Sequence, residues 1–347
     1  MVNRRMFLQS MMGVGVAPFA AAGPAKKRRG PSLIKPKRLQ KGQTVGLIAP
    51  ASNAFENESV RFAMEIVESL GYKVKPGKNL FKRWGYLAGS DEERADDLNA
   101  MFRDDHVDAI FALRGGYGTP RILPFIDYKM IRKNPKAFLG YSDITALHQA
   151  IHKETGLVTF HGPMALQTWH PYALAEMKKV MVNPEAPTLL GAPPPFEGRE
   201  GSVEPNNRLT RVVPGKARGG LTGGNLSLMC KLMGTPYEPD FKNKIVFLEE
   251  VGEKPYKIDG MLTHLWLSGK LHQAAGFALG KFTDADPEGV SLSLEEIFKD
   301  RFTMLGKPTL RGLMIGHIGA HATLPMGIQT ELDVDKGTLT MLETAVY

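Results

Sequence analysis

Cysteine is almost absent: Cys230 is the only one in 347 residues. No intramolecular disulfide can form, and a chain of this length needs none to build a core. Cys230 lies in an apolar stretch, residues 226–233, which suits a buried thiol rather than a nucleophile. No run of 18 or more apolar residues occurs, so a comfortable transmembrane helix is excluded. Acidic residues are absent before Gly42, where ten of the 44 Lys and Arg stand. All 36 Asp and Glu lie beyond it, so residues 42–347 carry a net charge of −2 against +8 for the whole chain. The basic excess belongs to an N-terminal arm, and the body makes no case for nucleic-acid binding. What is present, 43% apolar and 23% charged residues, is a globular composition.

The arm opens with the pair Arg4-Arg5, followed by a weakly apolar run to Ala22 and small residues before Gly23. Residues 1–22 resemble a twin-arginine (Tat) export signal, which implies the Tat export machinery as a partner and a periplasmic destination. Read as a membrane anchor, residues 6–22 are short and contain Gly, Pro, Ser and Gln, so no stable insertion is expected after cleavage. Residues 23–41 are expected to form a solvated basic leader.

From residue 42 to about 165, short apolar runs alternate with helical spacing. Strands are expected at 44–49, 72–74, 108–113 and 137–140, with helices at 56–70, 91–104 and 144–152. Ser90 followed by Glu93 has the capping-box spacing. This alternation implies a parallel, helix-covered sheet. Residues 166–218 are Pro-rich with few apolar runs and are expected to cross between domains. A second domain, 219–347, is expected to hold a Gly-rich turn at 219–224, a helix at 226–232, strands at 244–248, 276–282 and 312–315, and a β-rich end.

Several stretches could carry chemistry. In Phe138-Leu139-Gly140-Tyr141-Ser142-Asp143 a strand ends, a glycine permits a tight turn, a serine follows and a helix begins. That is a nucleophile-elbow layout, although Ser142 could equally be a plain N-cap. Arg114-Gly115-Gly116-Tyr117-Gly118 follows another strand and falls on the same sheet edge. It lacks the GK[ST] of a P-loop, which leaves an oxyanion hole or a simple turn. Glu249 and Glu250 end a strand, as a solvated loop or as a carboxylate that orients a histidine. His317 and His321 stand among glycines, which disfavours a helical metal pair. His148-Gln149-Ala150-Ile151-His152 imitates a zincin helix, but Gln149 cannot take a proton as the zincin glutamate does, so no metal site is expected.

In combination these stretches are more specific. TVGLIAPAS (44–52), RGGYG (114–118), GYSD (140–143), FHGP (160–163), LTGGNLSL (221–228), FLEEVGE (247–253) and GH…TLPMG (316–327) resemble, in the same order, LD-carboxypeptidases of the muramoyl-tetrapeptide type, serine peptidase family S66. The resemblance implies an α/β fold: a Rossmann-like N-terminal domain with a parallel sheet, plus a smaller β-rich C-terminal domain. It implies a triad of Ser142, Glu249 and His317. Glu250 stands where the family has Asp, so which acid faces the imidazole is open at this point.

The chemistry implied is acyl transfer without a cofactor, removing the terminal D-alanine of a murein tetrapeptide. The backbone N–H groups of Gly116 and Asp143 would form the oxyanion hole. Arg114 and Tyr117 would bind substrate, Arg114 by pairing with the free carboxylate. The family also makes a homodimer an expectation. One alternative is an amidase of aminoacyl nucleotides, similar to the microcin C self-immunity protein, but its cytoplasmic substrate fits badly with an export signal. The other is a periplasmic peptide-binding protein, which would have no use for a converging Ser, Glu and His.

Overall fold

Five short runs open the body; 44–48, 109–112 and 137–140 are nearly all apolar, whereas 73–76 carries two lysines. They form the first strands of a computed structural model that describes residues 31–347. The export signal expected at residues 1–22, and the leader as far as residue 30, lie outside the described residues. In chain order the strands are β1 (Thr44–Ile48), β2 (Lys73–Pro76), β3 (Ala109–Ala112), β4 (Ala137–Gly140), β5 (Phe160–His161), β6 (Thr188–Leu189), β7 (Thr210–Val213), β8 (Lys216–Asn225), β9 (Lys244–Val251), β10 (Gly276–Thr283), β11 (Thr309–Arg311), β12 (Leu324–Pro325), β13 (Gln329–Asp333) and β14 (Thr338–Met341).

They make two sheets. The first has the order β12-β5-β4-β3-β1-β2 and is parallel except for β12. The second has the order β6-β14-β13-β8-β9-β10-β11-β7, with β8 to β11 parallel and both flanks antiparallel. Side chains alternate across each strand, as the two-residue period requires. Ile110 and Phe138 pack on one face of the first sheet, Phe111 and Leu139 on the other. In β9, Ile245 and Phe247 join the Phe111 cluster, whereas Val246 and Leu248 face a third cluster with Phe277 and Phe298. One core therefore spans both sheets. A fully buried phenylalanine such as Phe111 contributes about 1.5–3 kcal/mol.

Three expectations are corrected here. Residues 219–224 are not a turn but lie within β8. Their glycines serve close approach: a Cβ on Gly223 would stand 1.9 Å from Phe247 O, and one on Gly224 2.4 Å from Thr145 Cγ2. The strand expected at 312–315 sits earlier, at β11, because Gly312 turns the chain with φ +97°. The described part of the basic leader is strapped to the body. Ile34 N–H donates to Gly156 O (2.8 Å), Leu39 N–H to Met181 O (2.8 Å) and Arg38 N–H to Tyr347 O (2.9 Å). Leu39 is buried and Lys35 pairs with Glu343. Apolar Ile34 and Leu39, set among the charges, account for the docking.

The crossing segment 166–218 carries a helix, Pro171–Met177, and supplies β6 and β7, the two edges of the second sheet. The helix at Leu294–Leu305, with a Ser293–Glu296 capping box, had no counterpart in the sequence reading.

Candidate active site

β4 delivers Ser142. The strand stops at Gly140, a short 3-10 turn spans Ser142–Ile144, and the Thr145–Thr155 helix follows. Ser142 adopts φ +64°, the left-handed region that a residue with a Cβ enters at a cost of about 1–2 kcal/mol. The corner is held from below: Asp143 accepts Thr119 N–H at 2.8 Å, and the His148 imidazole bonds Gly140 O at 2.8 Å. Gly115 lies against it, where a Cβ would be 2.9 Å from Ser142 Cβ and 3.3 Å from Asp143 N.

The helix behind Ser142 docks on the second sheet. Thr145 Oγ1 accepts Asn225 N–H (3.0 Å), and the Gln149 amide donates to Gly223 O (2.7 Å). The would-be zincin residue therefore fastens the two halves of the molecule. This docking brings the end of β9 towards the serine. Glu249 lies inside β9, which runs to Val251, and its side chain is fully buried. The solvated-loop reading of these acids is thereby corrected.

His317 closes the gap. Its Nδ1 lies 2.7 Å from Glu249 Oε2, and its Nε2 lies 3.0 Å from Ser142 Oγ. A carboxylate only accepts, so Nδ1–H donates to Glu249, and Nε2 is left to accept from the serine hydroxyl. Burial alone would pull the His317 pKa down, but the hydrogen bond and charge of Glu249 carry it above the ordinary 6.5. Burial pushes Glu249 up, against the opposing pull of His317. Gly316 makes the approach possible: at φ +115°, a Cβ there would stand 2.8 Å from Glu249 Oε2.

The other candidates separate. Glu250 points away from the imidazole and accepts from Asn225 Nδ2 (2.8 Å), Ser227 N–H (2.8 Å) and Val251 N–H (2.9 Å). His321 is wholly buried with its pKa pulled to about 3 by that burial, and its ring lies 4.6 Å from that of Tyr141. His152 Nδ1 bonds Leu157 O at 3.1 Å, away from His148 Nε2 on Gly140 O. Cys230 is half-buried with its thiol pushed to about 12 by burial, which fits a structural thiol.

Arg114 reaches back to Asn53 O at 3.3 Å, bracing its turn. Gly116 stands beside Ser52, and Tyr117 N–H donates to Ser52 Oγ at 3.1 Å. The Tyr117 ring is exposed, edge-on to Tyr86 at 5.5 Å and 5.9 Å from Lys231 Nζ. Sequence reasoning did not single out Gly115 within its motif, or Gly316 as the residue that admits Glu249. Positive φ and close approach are properties of a folded neighbour.

A cornered hydroxyl with an imidazole and a buried carboxylate lined up behind it is the equipment of a serine hydrolase. Comparison with known proteins narrows the class. Residues 45–162 match the LD-carboxypeptidase N-terminal domain and residues 218–332 the C-terminal domain of the Peptidase S66 family. The chain belongs to the LD-carboxypeptidase family. It is 44% identical over 311 residues to the "Probable murein peptide carboxypeptidase" of Bacillus subtilis strain 168, covering 88% of this chain and 93% of the relative. The fold is similar to the muramoyltetrapeptide carboxypeptidase of Oxalobacter formigenes, with TM-score 0.75, 27% identity, and coverage of 87% and 99%. It is also similar to MccF in complex with glutamyl sulfamoyl guanosine, with TM-score 0.82, 24% identity, and coverage of 90% and 99%, a likeness of fold.

Proposed function

We propose that this chain is a serine-type LD-carboxypeptidase that removes the terminal D-alanine from murein tetrapeptides. The observation that carries the reading is the continuous line from Ser142 Oγ through His317 to the buried Glu249, with steps of 3.0 and 2.7 Å, in a chain of this family. His317 takes the serine proton as Oγ attacks the amide carbonyl, then hands it to the departing D-alanine amine. Glu249 holds the tautomer and stabilises the imidazolium. Water, activated by the same imidazole, releases the acyl group and regenerates Ser142.

The developing oxyanion would be met by the N–H groups of Asp143 and Gly116, at the start of the turn and on the neighbouring glycine loop. Arg114 and Tyr117 border this region and would receive the peptide end. Export through the Tat machinery to the periplasm is part of the proposal and rests on Arg4-Arg5 and the run to Ala22. Family habit extends it to a homodimer, which sedimentation of the mature chain would check. The MccF likeness supplies no residue that favours a nucleotide conjugate. A pure binding protein would leave the Ser–His–Glu line without a use.

The test is mass analysis of murein tetrapeptide incubated with the mature protein. Loss of one alanine, from wild type and not from Ser142→Ala, is expected. An unchanged tetrapeptide would overturn the assignment, and alanine release by Ser142→Ala would remove the serine from it.

A further inference from the structure

Glu249 uses only one of its carboxylate oxygens. Oε2 receives His317, whereas Oε1 is buried with no hydrogen-bond partner among the described residues. The Asn225 amide donates one N–H to Glu250 Oε1 at 2.8 Å; it lies near enough to help lower the Glu249 pKa, yet makes no hydrogen bond to Glu249 Oε1. A buried carboxylate oxygen without a protein donor is costly, and such sites call for an explanation. Across from Oε1 lies His161, also fully buried, and neither of its ring nitrogens has a partner among the described residues. His161 Nε2 stands 4.0 Å from Glu249 Oε1. Two orphaned polar groups therefore face one another, one able only to accept and the other able to donate.

The ring of His161 is held in place by its surroundings. It packs edge-on against Phe247 at 5.1 Å and against Tyr141 at 5.9 Å. Phe247 lies two residues before Glu249 on the same face of β9, and Tyr141 directly precedes Ser142. His161 is thus wedged between the supports of the carboxylate and of the nucleophile. Its backbone is fixed too, because β5 is paired with β4 on one side and β12 on the other.

We infer that His161 is a positioning residue that presents Nε2–H to Glu249 Oε1, so that the carboxylate is gripped from both sides and its other oxygen is aimed at His317. A separation of 4.0 Å is closed either by a small ring rotation or by one water lying beside the pair, with a leg of about 2.8 Å to each. The donor is the neutral imidazole: burial, and then the neighbouring His148, hold the pKa of His161 well below the usual range. The inference rests on the Ser142–His317–Glu249 reading of the site, but not on the identity of the substrate.

Two measurements test it. Nitrogen-15 NMR of the wild-type protein reads which ring nitrogen of His161 carries the proton. The Nε2–H tautomer is expected, and the Nδ1–H tautomer overturns the inference without any variant. The second is a pair of substitutions, His161→Phe and His161→Gln. Phenylalanine fills the space without a donor, and glutamine returns an N–H near the Nε2 position. His161→Phe is expected to lower kcat about tenfold to a hundredfold with KM within about twofold, the loss of one buried charge-assisted hydrogen bond. It is also expected to shift the far-downfield proton of the His317–Glu249 bond, and His161→Gln should restore both. A kcat within about twofold of wild type in His161→Phe, or equal losses in the two variants, would reduce His161 to packing. If wild-type protein fails to cleave tetrapeptide, the substrate reading falls, while the tautomer and the downfield proton still decide the role of His161.

Discussion

Glu249 and Glu250 are adjacent in β9 and serve opposite sides of it. The first meets His317 at 2.7 Å, and the second closes the start of the Leu226–Lys231 helix through Ser227 N–H at 2.8 Å. Strand pleating alone assigns them. Glu249→Gln is expected to lower kcat by about 10³–10⁴, because an amide can donate to Nδ1 and trap the wrong tautomer. Glu250→Gln is expected to retain most of kcat and to lose about 1–3 kcal/mol of stability by weakening a buried acceptor. Steady-state kinetics and denaturant unfolding of both variants check the division, and a larger kcat loss in Glu250→Gln would reverse it.

Ser142 stores strain at φ +64°. Glycine takes that conformation freely and alanine does not. Ser142→Gly and Ser142→Ala should both be inactive, but the glycine variant should be the more stable by about 1 kcal/mol. Thermal or urea unfolding of the pair isolates the backbone term from the lost hydroxyl. Equal stabilities would mean that the corner is relaxed.

The acid limb of activity belongs to His317. Its pKa lies above 6.5 because Glu249 opposes the effect of burial, and only the neutral ring can accept the serine proton. Activity should therefore rise with pH through a midpoint above 6.5 and fall away below it. Glu249→Gln removes the cause of the elevation, so the midpoint of its residual activity should move to lower pH. A pH–kcat/KM profile of wild type and variant reads this, and an unmoved midpoint would uncouple the two residues.

Gly316→Ala offers a test from the other side. The added Cβ would meet Glu249 Oε2 at 2.8 Å, and φ +115° is hostile to alanine. Displacement of the carboxylate should cost about a hundredfold in kcat/KM, since misplacements of about 1 Å have that scale. Binding of a non-cleaved peptide should change far less. Near-wild-type turnover would show that Glu249 has room to move.

Much of the first sheet was legible because β1, β3 and β4 are short, almost wholly apolar and punctuated by Gly or Pro. The second sheet was harder for a specific reason. Gly219 to Gly224 carry the same signal whether a chain turns or another backbone passes within 2–3 Å, and only the fold distinguishes the two. The leader misled through its charge: Ile34 and Leu39 are too few to form a pattern, yet Leu39 is buried and Ile34 partly so, each hydrogen-bonded to a partner 120 or more residues away. Ser142, Glu249 and His317 stood out in their motifs, but across the 175 residues between serine and histidine only the family resemblance, not spacing, implied their contact. His161 stood inside the FHGP stretch that carries the family resemblance, but no role was assigned to it, because a histidine beside a phenylalanine in a two-residue strand looks like filler.

The strap at residues 34–39 has a consequence for synthesis. Arg38 N–H is seated on Tyr347 O, and Tyr347 N–H donates in turn to Pro36 O at 3.2 Å. The Ile34 and Leu39 N–H hydrogen bonds need only residues 156 and 181, whereas the Arg38 and Pro36 bonds wait for residue 347. A growing chain that has passed residue 181 therefore holds its serine and part of its strap while it still lacks Glu249 and His317. A chain stopped before residue 317 should thus be catalytically silent and only half fastened at residues 34–39, and the pairing with Tyr347 completes the strap after the triad is whole.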